Sequence, residues 1–138
     1  MIGLDTNILA RYYIEDESDS EAKKQHKLAK KIIESGQPLM ICMTVILEFE
    51  WIMRGYYHFS TDEISSVFKH LLSLPHVKIE NFRVVQKAVI NFEKGFDFAD
   101  ALHHASYRDC ESMASFDDKK FSRRSKRFGL IPSVFVPK

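Results

Sequence analysis

Short apolar runs alternate with amphipathic stretches along the whole chain. The apolar runs predict buried strands over 1–4, 39–43, 77–79 and 112–116, with a final strand over 134–136. The stretches between them carry apolar residues at helical spacing, and they predict helices over 6–14, 19–35, 83–94 and 97–107, with two more that begin at Thr44 and Thr61. This alternation predicts an α/β fold in which helices flank both faces of a parallel sheet.

The helix that follows the second apolar run contains an acidic residue in an unusual position. Thr44 is a suitable N-cap for this helix. One face of the helix then carries Val45, Glu48, Phe49, Ile52 and Tyr56, and we expect this face to be buried. Because an ionised carboxylate that faces an apolar core needs a partner, Glu48 is a candidate for chemistry.

Composition limits the class of protein without identifying it. With 138 residues, of which 45% are hydrophobic and 28% charged, the chain fits a single globular domain over 1–138. Cys42 and Cys110 lie far apart in no metal-type spacing, which favours reduced and mostly buried thiols. No apolar run is long enough to span a membrane and the first residues do not resemble a signal peptide, so we expect a cytoplasmic protein.

Acidic residues recur where the predicted strands end and the following helices begin. Asp5 follows the first strand and Asp117 follows the fourth, while Glu48 lies in the first turns of the helix after the second. Asp97 and Asp100 lie one turn apart at the start of another helix. Since the carboxyl ends of parallel strands form the usual site edge of an open α/β sheet, we expect these acids to gather there.

Each acid has a structural alternative. Asp97 is a suitable N-cap, Asp100 suits the first turn of a helix, and Asp5 and Asp117 are common residues in turns. All of them being structural together is less favoured than a shared site. Carboxylates in one pocket repel each other unless a cation neutralises them, and oxygen ligands favour Mg²⁺ or Mn²⁺. Such a site suits phosphodiester hydrolysis by a metal-bound water, with either one or two ions.

At these residues the chain resembles the PIN-domain ribonucleases, and in particular the VapC-type toxins of bacterial toxin–antitoxin pairs. The similarity runs nearly end to end through DTNILARYY at 5–13, TVILEFEWIMRGYY at 44–57, DFADALHHA at 97–105 and SFDDKKF at 115–121. It implies a three-layer α/β/α sandwich around a parallel sheet and endonucleolytic cleavage of RNA that depends on Mg²⁺ or Mn²⁺. It also implies a homodimer and a small inhibitory antitoxin, which would link the complex to operator DNA.

The resemblance also assigns roles to individual residues. Asp5, Glu48, Asp100 and Asp117 match the family's catalytic and metal-binding acids, and Asp97 matches a less constant acid. A further group matches polar positions that support the acids: Thr6, Asn7 and Ser115. We expect the first two to orient Asp5, or a water on the metal, by hydrogen bonds.

A basic stretch follows the last acid. Residues 119–127, KKFSRRSKR, hold six cations and no acid, and many relatives are less basic here. The stretch is either a solvated helix face or a rim that contacts the phosphates of RNA, which the acids alone would repel. The candidate RNA-binding residues are therefore Lys119, Lys120, Arg123, Arg124, Lys126 and Arg127, together with Arg11.

Several aromatic and histidine side chains have simpler explanations than a role in the site. Phe49, Trp51, Tyr56 and Tyr57 at helical spacing favour an apolar core or a dimer face over a base-stacking platform. His103 and His104 favour surface or packed helix positions over metal ligation.

Other functions remain open on the sequence. A PIN-type nuclease that acts in RNA processing or on DNA without an antitoxin is the main alternative, and a non-catalytic PIN-like interaction module is another. A receiver domain is disfavoured because the first strand is followed by a single Asp and the third ends in Glu80–Asn81. A haloacid-dehalogenase-type phosphatase is disfavoured because Asn7 stands where it needs a second Asp.

Overall fold

Three short parallel strands form the sheet in the first part of the chain. In the computed structural model, which describes residues 1–138, strands β1 (Ile2–Gly3), β2 (Leu39–Ile41) and β3 (Val77–Ile79) pair in the order β1-β2-β3. Ile2 is opposite Leu39, which is in turn opposite Val77. These strands belong to the first of two compact units, Met1–Phe82 and Arg83–Lys138.

Four helices complete the first unit: α1 (Thr6–Tyr13), α2 (Ser20–Ile33), α3 (Met43–Trp51) and α4 (Thr61–Ser73). A π-helical turn, Ile52–Tyr56, continues α3. Apolar side chains from every one of these helices are buried, among them Leu9, Ile33, Ile46, Phe49, Ile64 and Phe68. The rings of Phe49 and Phe68 meet edge to face with their centroids 6.1 Å apart, a favourable aromatic geometry that joins α3 to α4.

The second unit contains the remaining elements. Helix α5 (Phe82–Glu93), whose first residue is the last of the first unit, is followed by α6 (Phe98–Ser106) and β4 (Ser112–Ala114). A π-helical turn (Asp118–Ser122), α7 (Arg123–Arg127) and β5 (Ser133–Phe135) then close the chain. Strands β4 and β5 pair in parallel, with Met113 opposite Val134. Phe92, Phe96, Phe98 and Phe121 are buried in this unit.

The predicted mixed α/β class with parallel strands is confirmed. The strands form two small sheets, of three and two strands, where the sequence predicted a single sheet. The expectation that the strands are fully buried is wrong in the first and the fourth predicted strands. In the first, Ile2 is 44% exposed, and in the fourth, Phe116 lies outside β4 and is 83% exposed.

Two smaller expectations are corrected as well. Both cysteines are free, as predicted, but Cys110 is exposed and Cys42 is only partly buried. Tyr56, expected on a buried face, is 72% exposed.

No helix has both the length and the apolar character that crossing a membrane requires.

The buried face of α3 is offset from the predicted one, and the offset changes which glutamate is buried. Ile46, Phe49, Glu50 and Met53 are the buried residues of α3 and the turn that continues it, whereas Glu48 is exposed. Glu50 is 1% exposed, and its Oε2 accepts a hydrogen bond from Arg54 Nε at 2.8 Å. The expectation that Glu48 faces the core is therefore wrong, and the buried carboxylate has its partner one turn along the same helix.

The two glutamates provide a matched test of this assignment. We expect Glu50→Gln to lower the free energy of unfolding by about 1.5–3 kcal/mol, because it replaces a charge-assisted hydrogen bond with a neutral one in a buried position. Glu48→Gln should change it by no more than about 0.5 kcal/mol, as is usual for exposed positions. Urea unfolding of both variants measures the difference, and equal destabilisation would contradict the offset.

Candidate functional site

Asp5 begins helix α1. Its backbone is extended, with φ −83° and ψ 162°, and its Oδ1 accepts a hydrogen bond from Thr6 N at 2.8 Å. The carboxylate is exposed, so Oδ2 remains available to a ligand. Thr6 thus orients Asp5 through its backbone N–H, while its own hydroxyl is buried without a hydrogen-bond partner. Asn7 is exposed and makes no hydrogen bond to Asp5.

Helix α3 begins two residues earlier than an N-cap at Thr44 predicts. Cys42 is the N-cap and Met43 the first helical residue, so Thr44 lies inside the helix, and its expected role as N-cap is wrong. The Cys42 side chain caps no helical N–H. Its Sγ instead lies 3.2 Å from Thr44 Oγ1, and this hydrogen bond is the main cause that lowers the pKa of the Cys42 thiol.

The side chain of Glu80 caps the first N–H of α3, which the side chain of Cys42 does not. Glu80 follows β3, and its Oε1 accepts a hydrogen bond from Met43 N at 2.9 Å. Glu80 is not among the acids that the sequence predicts at the site. The signal was nevertheless present, because Glu80 is the acid that follows the third strand, just as Asp5 and Asp117 follow the first and the fourth.

Three acids of the second unit also lie at helix starts. Asp97 is the N-cap of α6, and its Oδ1 accepts from Asp100 N at 3.0 Å, which confirms the predicted cap. Asp117 is the N-cap of the π-helical turn, and its Oδ1 accepts from Lys120 N at 3.0 Å. Ser115 supports Asp117 because its Oγ accepts from Asp117 N at 3.1 Å.

Asp100 connects these acids electrostatically. Partial burial raises the pKa of Asp100, the negative charges of Asp97 and Asp117 raise it further, and His103 opposes the shift. The structure therefore brings Asp97, Asp100 and Asp117 into one electrostatic neighbourhood. Such a group of carboxylates favours a bound cation or a bound proton over three free charges.

The donor chemistry of these acids fits a hard divalent cation. Mg²⁺ takes one or two carboxylate oxygens beside water and phosphate oxygens, and the Oδ2 atoms of Asp97 and Asp117 accept no hydrogen bond within the protein. No group of three or more His, Cys, Asp or Glu side chains is arranged closely enough to hold a metal ion by itself. Asp5 and Glu48, the other predicted acids, belong to residues 1–82.

The basic stretch after Asp117 divides into two kinds of cation. Arg123 pairs with Asp118, with Nη2 2.8 Å from Oδ2, and Arg124 Nη1 donates to the Gly95 carbonyl oxygen. The remaining cations are exposed and have no protein partner: Lys119, Lys120, Lys126 and Arg127. Since Ser122 and Ser125 are buried between them, these four side chains project from a segment that is anchored to the fold.

The remaining candidate side chains are placed mostly as the sequence suggested. His104 is buried, and its Nε2 donates to the Pro132 carbonyl oxygen at 2.7 Å, whereas His103 is exposed. Phe49 belongs to the core. Trp51 is 60% exposed, so it is not a core residue.

Comparison with protein-family models gave no match. A search of curated proteins likewise gave no significant match.

The raised pKa of Asp100 predicts a pH-dependent stability. A carboxyl group whose pKa is higher in the folded state stabilises the fold while it is protonated, and this contribution is lost as the pH rises through the folded-state pKa. Asp100→Asn stays neutral, so we expect it to be more stable than the wild type at pH 7, with the gain shrinking toward pH 4. Urea unfolding across this range measures it, with the exposed Asp109→Asn as the matched control. A gain that does not depend on pH would contradict the assignment.

Proposed function

We propose that the protein is an endoribonuclease that depends on Mg²⁺ or Mn²⁺ and acts as the toxin of a toxin–antitoxin pair. The observation that carries the proposal is the placement of Asp97, Asp100 and Asp117 at helix starts, where the charges of Asp97 and Asp117 act on Asp100 and a segment of free cations follows Asp117. The proposal includes a three-layer α/β/α sandwich and a site completed by Asp5 and Glu48. The motifs at 5–13, 44–57, 97–105 and 115–121 support both.

The acids of the proposed site would have two roles, capping a helical segment and holding the cation. Asp5, Asp97 and Asp117 each use one oxygen to cap a helix, which fixes the direction of the other. Together with Asp100 and Glu48 they would hold the cation, which when bound supplies an activated water and offsets charge on the scissile phosphate. A bound cation would lower the pKa of Asp100 again, because burial and the negative charges of Asp97 and Asp117 raise it and the cation offsets those charges.

The free cations would bring the substrate to these acids. An RNA strand approaching clustered carboxylates is repelled, and Lys or Arg side chains beside them offset that repulsion by contacting phosphates. Lys119 and Lys120 directly follow Asp117 and Asp118 in the chain, so the attractive and the repulsive charges are adjacent.

The proposed partners are RNA, a small antitoxin and a second copy of the chain. Trp51 and Tyr56, at the C-terminal end of α3 and in the π-helical turn, are 60% and 72% exposed. Large exposed aromatic side chains of this kind are typical of surfaces that another protein covers. End sequencing of RNA from cells that express the protein, with and without the product of a neighbouring gene for a short DNA-binding protein, tests target and antitoxin together.

Removing a single acid should abolish cleavage without unfolding the protein. We expect Asp5→Asn, Glu48→Gln, Asp100→Asn and Asp117→Asn each to lower RNA cleavage by about 100-fold or more, the scale of losing one preorganised group from an active site. Asp109→Asn should keep full activity. Mg²⁺ should raise the melting temperature of the wild type and not that of Asp100→Asn. Full activity in any of the four acid variants would contradict its assignment.

The free and the paired cations should differ in their effect on RNA binding. We expect replacement of Lys119, Lys120, Lys126 and Arg127 by Gln to weaken binding and to flatten the dependence of log K on log salt by about 0.7 for each lost phosphate contact. Arg123→Gln and Arg124→Gln should change this slope less, since their guanidinium groups already have protein partners. Lys24→Gln with Lys31→Gln, two exposed lysines of α2, is the control. An unchanged slope in the fourfold variant would leave the segment as a solvated surface.

A further inference from the structure

A cavity of about 270 Å³ lies between α1 and α2. Half of its lining residues are polar and half apolar: the polar ones are Asn7, Arg11 and Gln25, and the apolar ones are Ile8, Leu28 and Ala29. We propose that this cavity binds one guanine base of the RNA, with Arg11 as the residue that recognises it. The proposal rests on the proposed ribonuclease function and adds a sequence preference to it.

Arg11 is held in place by α2 at two points. Its carbonyl oxygen accepts a hydrogen bond from His26 Nδ1 at 2.8 Å, and its Nε donates to Gln25 Oε1 at 2.8 Å. Gln25 is itself oriented, because its Nε2 donates to Glu21 Oε1 at 3.4 Å. The contact with Gln25 restrains the guanidinium group itself, and a restrained side chain loses less freedom when a ligand binds. Arg11 is therefore a preorganised group and not a mobile surface arginine.

The charge of Arg11 is not neutralised by its partner. Arg54 and Arg123 form ion pairs with carboxylates, whereas Arg11 bonds to the neutral amide of Gln25. Its two Nη atoms have no hydrogen-bond partner in the protein. Their parallel N–H groups match two acceptors side by side, and guanine presents such a pair at O6 and N7.

The apolar half of the lining favours a base over a bare phosphate. Ile8 and Leu28 offer no hydrogen bond but provide surfaces on which the face of a purine can pack. Leu28 is 55% exposed in the absence of a ligand. The volume is slightly below the roughly 300–1,000 Å³ of pockets that enclose drug-sized molecules, which suits a single base.

Helix α1 links this cavity to the proposed site. Asp5 caps the helix, Asn7 lies at its start and Arg11 follows one turn later. Six residues of helical rise separate Asp5 from Arg11 by about 9 Å along the axis. Because the helix is rigid, the recognised guanine should lie at one constant position relative to the cut.

Cleavage of a randomised RNA library, followed by sequencing of the new ends, tests this directly. We expect the wild type to enrich guanine at one position about tenfold, the scale of a bidentate arginine contact. Arg11→Ala and Arg11→Lys should lose the enrichment while still cutting, since lysine keeps the charge but lacks the paired N–H groups. Arg83→Ala removes an exposed arginine without a partner and should keep the enrichment. Persistent enrichment in Arg11→Ala overturns the proposal.

A binding experiment separates this inference from the proposed function. In the Asp100→Asn background, which should not cleave, a short RNA with one guanine is compared with the same RNA carrying 7-deazaguanine, which lacks N7. We expect tighter binding of the guanine form, and loss of this preference when Arg11→Ala is added. That result supports the cavity even if the wild type cleaves no RNA. Equal binding of both RNAs, or a uniform loss in Arg11→Ala with a flatter salt dependence, shows a phosphate contact and overturns the assignment.

Discussion

The capping of helices by acidic side chains is the interaction on which the candidate site depends. Asp5, Asp97 and Asp117 each accept a hydrogen bond from a backbone N–H at the start of a helical segment. The unpaired N–H groups at a helix start carry partial positive charge, so they stabilise a carboxylate there. Each acid thereby gains a fixed direction and part of its charge compensation from the backbone. One carboxylate oxygen serves the fold and the other remains for a ligand, which explains how the same residue is both a cap and a candidate ligand.

Charge compensation also distinguishes the cations that support the fold from those available to a substrate. Arg54 and Arg123 are paired with Glu50 and Asp118, and these pairs are internal to their own segments. Lys119, Lys120, Lys126 and Arg127 have no such partners. The net charge of +1 hides this division, because it sums paired and unpaired groups alike. The location of unpaired charge, more than the total, bears on whether the protein attracts a polyanion.

Helix α3 shows where periodicity alone leads to a wrong residue. A helical repeat anchored at Val45 puts Glu48 on the apolar face, while a repeat anchored one position later buries Glu50. Apolar residues occupy most positions from Val45 to Met53, so the pattern does not distinguish the two. The structure distinguishes them by packing Ile46 and Phe49 inward and by pairing Glu50 with Arg54. Glu48 remains a candidate ligand because it is exposed and therefore accessible. The sequence suggested the same role for the opposite reason, namely that a buried carboxylate needs a partner.

The sequence by itself determined the alternation of strands and helices, the parallel pairing, the cap at Asp97 and the position of acids after strands. The cap and the acids depend on local patterns of a few residues, whereas the alternation and the parallel pairing follow from the order of apolar runs and connecting helices along the chain. Only the tertiary structure decided that Glu80 caps α3, that Asp97 and Asp117 raise the pKa of Asp100, and that Gln25 holds Arg11. Each of these depends on groups brought together from different elements, or on the burial that packing creates. No local pattern encodes such contacts, because they arise from how the helices pack and not from how they form.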